Sequence, residues 1–358
     1  MTTLMQASAQ WATRPADERF VSLKEMFYHE AGRRDASREV VVQSNKLSVR
    51  PDQDNRGLKV HGPNGHGYTP THWSFGQLAN LVGAPASYLR EKLPSPIVAD
   101  CLNWGLLQRN DDVGVLLQKD GTLRAVTGPK YGRIWNADIL HTMCREFGDG
   151  VTGDWKIPGE FGHDVPVTKD NTTLYAGDRD MFVFLCDERN RVEVPNRRNG
   201  QPGSLARGFF LWNSEVSAAT IGVSSFLFDY VCCNRIVWGA MDYQEIKLRH
   251  TATAPERWIE ELKPALLSFT NAKASGINKA IDDARADRLN NKVDDFLANR
   301  FGKRMVPTLQ QVHMTEEQRP IENRWDVVTA ATAYARNIAW QNERVAFERL
   351  AGDLLVVR

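Results

Sequence analysis

The sequence predicts an α+β fold, with a mainly antiparallel central sheet, flanking helices and a helical C-terminal segment. Three observations predict it. Leu205–His250 holds the densest apolar and aromatic run, in which Leu205–Trp212 and Val216–Phe228 read as two strands around a polar turn at Asn213-Ser214. Asp120-Gly121 lies between Val113–Lys119 and Thr122–Thr127 and is the strongest short hairpin signal in the chain. From Ala254 onward, Ile277, Ile281, Ala284, Val293, Phe296 and Leu297 fall on one side of a 3.6-residue repeat.

Taken in chain order, Phe20, Leu23, Phe27 and Ala31 predict a helix over Glu18–Ala31, stopped by Gly32. Glu39–Arg50 reads as a strand pair or one long bent strand, and Gly57–His61 as a short strand. The Gly/Pro/His composition of His61–Trp73 predicts an irregular loop. Ser74 stands where a helix N-cap belongs. Short helices are expected over Phe75–Val82 and Pro85–Leu93, then Pro96–Gln108, then Asn136–Phe147 with Asn136 as cap and Gly148 as stop. Gly150–Asn171 reads as a loop or irregular strand, and Met181–Cys186 as a buried strand pairing with Leu205–Trp212.

Glu245–Thr251 sets Glu245, Lys247 and Arg249 against Ile246, Leu248 and His250, the alternation of a half-buried strand. A β-layer covered on one face is therefore expected. After the charged amphipathic stretch, Met305–Pro320 reads as a Pro-containing connector and Arg324–Leu350 as a last long helix. The chain divides into 1–112 (an N-terminal α/β segment with a helical hairpin), 113–253 (a β-rich core) and 254–358 (a helical C-terminal region).

Composition limits the function. The 358 residues are 42% hydrophobic and 25% charged, ordinary for a soluble globular protein. No run approaches the ~18 apolar residues of a membrane span, and the N-terminus has no secretory signal pattern. Five cysteines without repeated spacing argue against a disulfide framework and for a cytoplasmic protein. A net charge of +1 means that any phosphate-binding surface must gather its cations on one face.

The strongest such gathering is the polar tip Asp187–Gly208, with Arg189, Arg191, Arg197, Arg198 and Arg207 opposed by Asp187, Glu188 and Glu193. A guanidinium fork grips phosphate at two points. The same composition also describes a solvated loop. Lys130-Tyr131-Gly132-Arg133 combines two cations with a ring that could stack on a base, or forms a turn packed by Tyr131. Arg235, with Asn234, interrupts an apolar segment and must be paired or face a ligand; Arg249 lies on the third strand.

Gln77–Leu89 resembles a helix-turn-helix, though its second helix carries few cations and a packing hairpin is the simpler reading. His61, His66 and His72 crowd one loop without the spacing of a zinc site. Cys232-Cys233 with His250 lacks the geometry of a thiol–base pair, because adjacent strand residues point apart. No glycine–lysine phosphate loop, dinucleotide fingerprint, H-E-x-x-H or G-x-S-x-G appears, so neither cofactor nor metal is expected, nor enzymatic activity.

Several segments resemble, in order over about residues 70–355, the phage/plasmid-like proteins grouped as domain of unknown function 932. They are Phe75–Leu93, Tyr131–Leu140, Leu211–Ser214 (LWNS), Val231–Asn234 (VCCN) with Arg249-His250, and Asn323–Ala333 with Ala351-Gly352. The chain departs from that pattern in carrying Asp229-Tyr230 where an arginine precedes the VCCN motif, and Arg235 where a small residue follows it. The resemblance implies a bacteriophage or plasmid source, and hence nucleic-acid metabolism. Coarse architecture is similar to that of single-strand annealing proteins of the Rad52/Erf kind, which implies a basic groove, single-stranded DNA and a homo-oligomer. The expected function is thus non-enzymatic DNA binding in recombination. The alternative is a host-interaction protein of a mobile element that binds another protein, suggested by ten tryptophans, among them Trp11, Trp73 and Trp155 in exposed-looking contexts.

Overall fold

The structure, a computed structural model, describes residues 14–63, 65–158, 166–229, 234–236, 246–271, 275–338, 347–348 and 350–355. In chain order the strands are β1 (Arg19–Phe20), β2 (Ser37–Gln43), β3 (Ser48–Pro51), β4 (Leu58–His61), β5 (Gly67–Pro70), β6 (Asp112–Gln118), β7 (Thr122–Thr127), β8 (Trp155–Lys156), β9 (Leu174–Ala176), β10 (Met181–Asp187), β11 (Val192–Val194), β12 (Gly203–Asn213), β13 (Ile221–Asp229), β14 (Asn234–Ile236) and β15 (Ile246–Leu248). The helices are α1 (Leu23–Asp35), α2 (His72–Leu81), α3 (Ala86–Lys92), α4 (Ser95–Leu107), α5 (Asn136–Phe147), α6 (Ala254–Arg257), α7 (Lys263–Asn271), α8 (Ser275–Ala286), α9 (Val293–Phe301), α10 (Val306–Glu317) and α11 (Arg324–Arg336). A π-helical stretch, Trp258–Leu262, joins α6 to α7. The fold is α+β. Among the described residues no helix is long and apolar enough to cross a membrane.

Two sheets organise the chain. The larger runs β1-β9-β10-β12-β13-β14, with β8, β11 and β15 attached at its sides. Its centre is the expected pairing of β10 with β12, Met181 opposite Asn213 and Cys186 opposite Gly208. One face packs Val183, Leu185, Phe209, Leu211 and Val223 against α1, α5 and α7. The other gathers Phe182, Phe184, Phe210, Trp212, Phe226 and Phe228. Burial on both faces, not one, is why these strands read as continuous apolar runs. Aromatic density leaves no room for side chains at two positions, Gly222 opposite Trp212 and Gly208 opposite Phe226. A β-carbon at Gly222 would lie 2.2 Å from Trp212 Cζ2, and one at Gly208 would lie 2.5 Å from Phe226 Cζ.

The second sheet is curled and runs β2-β6-β7-β5-β4-β3. It wraps a core of Val49, Val60, Val113, Val115 and Leu123 closed by Leu78, Leu89, Leu102 and Leu106 of α2, α3 and α4. Glu39–Arg50 becomes β2 and β3, which lie at opposite edges of this sheet. The β6–β7 hairpin pairs with β2, Asp112 opposite Gln43, so a cut at residue 112 runs through one sheet.

Several local expectations are corrected. The loop expected over His61–Trp73 contains β5 and the start of α2, because Gly67–Pro70 is held extended between β4 and β7. Thr71, not Ser74, caps α2, its hydroxyl accepting from Ser74 N–H at 3.1 Å. The first helix starts at Leu23 behind Ser22 and passes through Gly32 to Asp35. Asn136 does not cap α5, since its side chain turns inward. The supposed connector at Met305–Pro320 is α10, with Pro307 in its first turn, where no amide donor is needed. The helix expected over Arg324–Leu350 is broken, since α11 ends at Arg336 and residues 347–348 and 350–352 are helical again. The third strand ends at Leu248 and not at Thr251, its expected start at Glu245 lying outside the described residues, and Asn213 belongs to β12, so the turn into β13 occupies Ser214–Thr220.

The C-terminal helices form a second core on the lower end of the large sheet. Ile281, Ala284 and Leu297 pack with Leu309, Trp325 and Val328 against Val192, Val194, Leu205 and Leu227. The side chain of Ile277 lies outside the described residues.

Candidate functional site

Three arginines singled out from the sequence belong to the fold. Arg197 is 1% exposed. Its Nε donates to Glu317 Oε1 at 2.9 Å, its Nη2 donates to Asp229 Oδ2 at 2.9 Å, and the Trp325 ring stands beside it. Arg207 donates from Nε to Asp187 Oδ2 at 2.9 Å, and from Nη1 and Nη2 to the carbonyls of Phe269 and Thr270. Those carbonyls close the last turn of α7, where a helix lacks internal donors. Each of the two side chains therefore fastens a C-terminal helix to the sheet. Arg133 is buried and donates from Nη2 to Glu39 Oε1 at 3.0 Å.

The remaining positions are scattered. Arg191 is half-buried on Glu188 at 2.6 Å, and exposed Arg189 pairs with Asp154 at 3.3 Å. Lys130, Arg198 and Arg249 are exposed and have no carboxylate partner among the described residues. Arg235 pairs through its backbone with Phe228, and its side chain lies outside the described residues, as do Cys232 and Cys233. Thus the arginines of the two-stranded finger are divided: Arg197 and Arg207 lie in buried ion pairs, Arg189 and Arg191 pair with carboxylates nearer the surface, and Arg198 is exposed.

What the structure does bring together is a polar seam between the two sheets. Tyr131 Oη donates to Ser214 O at 2.6 Å and accepts from Ser217 N–H at 3.1 Å. His250 stacks on Tyr131 at 4.9 Å and its Nδ1 donates to Gly132 O at 3.0 Å. Gly132 is required by this approach, since a β-carbon there would fall 1.8 Å from Thr251 O. Asn213 Nδ2 donates to Ile134 O and Asn136 Oδ1, both at 2.8 Å. Asn136 in turn donates from Nδ2 to Glu30 Oε2 at 2.7 Å and from its backbone N–H to Glu215 Oε1 at 2.8 Å. Arg124 Nη1 closes the chain on Glu215 Oε2 at 2.8 Å, with both side chains 2% exposed. Segments at Tyr131–Leu140, Leu211–Ser214 and Arg249-His250, far apart in sequence, meet here.

Burial governs the protonation of these groups. It pushes Glu215 up, with Arg124 pulling against it and Glu30 adding to the rise. Burial acts on Glu30 in the same direction, but hydrogen bonds from His29 and Asn136 and the Arg33 charge outweigh it and hold that carboxyl at about 2. His250 is held down to about 4 by burial and is therefore a neutral, Nδ1-protonated ring at pH 7. Burial also pushes the Tyr131 phenol up, so it remains a hydrogen-bond donor and is not a base.

Beside the seam lies an open cleft of about 980 Å3 between α2, α3 and the β6–β7 hairpin. Trp73, Asn80, Arg90, Arg109, Thr127 and Ser217 are among its lining residues. Ser217 of the Ser214–Thr220 turn lines one side, in the left-handed region at φ 65°. Trp73 Nε1 and Gln77 Nε2 both donate to Val216 O and so hold that turn in place. Arg90 lies over the Phe75 ring and donates to His72 O, with no carboxylate partner among the described residues. Arg109, by contrast, pairs with Asp111 at 3.1 Å. Gly128 lines the same cleft two residues before exposed Lys130.

Sequence reasoning missed this cleft, because its residues come from four separated segments. Gln77 lay inside a helix-turn-helix pattern and Trp73 at the end of a supposed loop, and the helix pair serves packing: Leu78, Ala79 and Leu89 enter the core. Trp155, expected to be exposed, is buried among Phe147, Phe209 and Phe269. His61 contacts Gly65 O and His72 opens α2, and among the described residues no cluster of three His, Cys, Asp or Glu could hold a metal ion.

Compared with known proteins, the chain matches no described family, no curated protein and no solved structure. The resemblance to domain of unknown function 932 therefore stands on the motif segments alone.

The seam makes two predictions. Arg124→Ala leaves Glu215 buried without its cation and is expected to cost about 3–5 kcal/mol in urea unfolding. The apolar pair Arg124→Met/Glu215→Met should recover most of that loss; equal destabilisation by the pair would refute the assignment. Glu30 has a folded pKa below its ordinary value, so its contribution is present above about pH 4.5 and fades as pH falls towards about 2. Between those limits the melting temperature of the wild type should drop more steeply than that of Glu30→Gln. Parallel curves would contradict the reading.

Proposed function

We propose that the protein is a non-enzymatic single-stranded nucleic-acid-binding protein of a mobile genetic element, acting in the cytoplasm, and that the strand lies in the cleft beside the seam. The observation that carries this is the cleft itself. It places the half-exposed Trp73 ring near Arg90, a cation with no carboxylate partner among the described residues, and runs toward Lys130. A ring that can stack on a base and cations that track a backbone are the two parts of sequence-tolerant single-strand binding. The motif resemblance to phage/plasmid-like proteins supports a setting in nucleic-acid metabolism. Because Arg109 is paired and Asp111 and Asp112 line the same cleft, few phosphates are neutralised and a shallow salt dependence follows.

A second reading rests on a different surface. On α4, Trp104 is 71% and Leu107 67% exposed, with Ile97 and, on α3, Tyr88 also exposed. Exposed aromatics of this kind mark protein–protein hot spots, and a partner protein or a second copy of the chain fits them.

Titration of a labelled oligothymidylate separates the two. Binding should be tighter at about 50 mM than at about 200 mM salt, and Arg90→Ala and Lys130→Ala should each lower the salt slope by about 0.7. Trp104→Ala should leave binding unchanged. No binding at the lower salt, or unchanged slopes in both cation variants, would overturn the cleft assignment.

A further inference from the structure

We infer that the gap between β2 and the β4–β5 hairpin accepts an extended apolar peptide segment, which adds to the free edge of β2 and seats alternate side chains in the pocket beside it. The curled sheet ends at β2 on one side and at β3 on the other, so six strands bend round a core without closing into a barrel. Closure is what removes sheet edges in barrels. All seven residues of β2 pair in unbroken register with β6, and its other edge has no strand partner among the described residues.

Protected edges carry a proline, a bulge or inward charges. Here Ser37–Gln43 has no proline and no bulge; its charges, Arg38 and Glu39, stand near its start, and Val40, Val41 and Val42 follow in succession.

Beside this edge lies a pocket of about 300 Å3. Val40 and Val42 form one wall, Val115 and Leu117 the floor, and Val60 and Tyr68 face them from the hairpin. Strand alternation puts Arg38, Val40 and Val42 on the same face. Val41 belongs to the opposite face, where it is 55% exposed, so it borders the pocket through its main chain. The pocket and the unpaired backbone are therefore contiguous.

One kind of occupant satisfies both. An extended peptide bonds to the edge with its main chain and fills the pocket with every second side chain, the usual division of affinity and specificity in strand addition. A small apolar molecule would fill the pocket and leave the edge unpaired. Arg38, exposed and without a carboxylate partner among the described residues, adds a preference for an acidic side chain or chain-terminal carboxylate.

The test uses the full chain and a fluorescein-labelled peptide, Thr-Val-Thr-Val-Thr-Asp, with a free carboxylate. Saturable binding is expected, with slowed hydrogen exchange at the amides of residues 37–43. N-methylation of the peptide amides on one edge should weaken binding by about tenfold or more. Arg38→Glu, at an exposed position, should weaken it about fivefold, and Val42→Lys should abolish it. If Val42→Lys does not fold, the methylated peptide and Arg38→Glu decide the matter. Equal binding of the methylated peptide, displacement by decanoate without protection of residues 37–43, or no binding at millimolar peptide would each overturn the inference.

Discussion

Buried guanidinium–carboxylate pairs hold the arrangement together. Arg124 meets Glu215 across the seam of the two sheets, Arg197 meets Asp229 and Glu317, and Arg207 meets Asp187 and the end of α7. Taking such charges out of water is costly, and apolar pairs of similar shape would give comparable net stability. The consequence lies in specificity. Any arrangement that separates the partners leaves a charge buried alone, so these pairs select one mutual placement of the sheets and the C-terminal helices. The chain's near-neutral balance fits this use, since much of its arginine is matched internally.

The same pairing redistributes what can bind. With Arg133, Arg197 and Arg207 buried, three of the cations picked out from the sequence are withdrawn from any polyanion, and the polar finger between β10 and β12 becomes a structural joint. The seam has the opposite character. Tyr131, Asn136, Asn213 and Ser214 fix a turn whose Ser217 lines the cleft. The left-handed Ser217 is held there by a bond from its own N–H to Tyr131, so the shape of the cleft depends on the interior network behind it.

Much of the fold was legible. The β10–β12 pairing, the Asp120-Gly121 hairpin and the span of α5 follow from periodicity and turn chemistry, which act over a few residues. Polar residues proved harder. Asn136 and Asn213 look like a cap and a turn in sequence, but each answers a buried partner more than 70 residues away in the chain. The arginine tip was visible as composition, while its neutralisation depended on Glu317 from α10, a helix hidden by the proline at its start. The cleft could not be seen locally, because its lining comes from four separated segments. Gly132, a glycine between a ring and a cation, belongs instead to the seam, where Thr251 O approaches too closely for a β-carbon.

The central claim, that these arginines belong to the fold and not to a partner, is tested most directly by modifying the native protein with an arginine-selective dicarbonyl and mapping the adducts by mass spectrometry. Arg90, Arg198 and Arg249 should be modified while the protein remains folded, and Arg124, Arg197 and Arg207 only once it is unfolded in urea. Modification of Arg197 and Arg207 in the folded chain as fast as that of Arg90 would contradict the account.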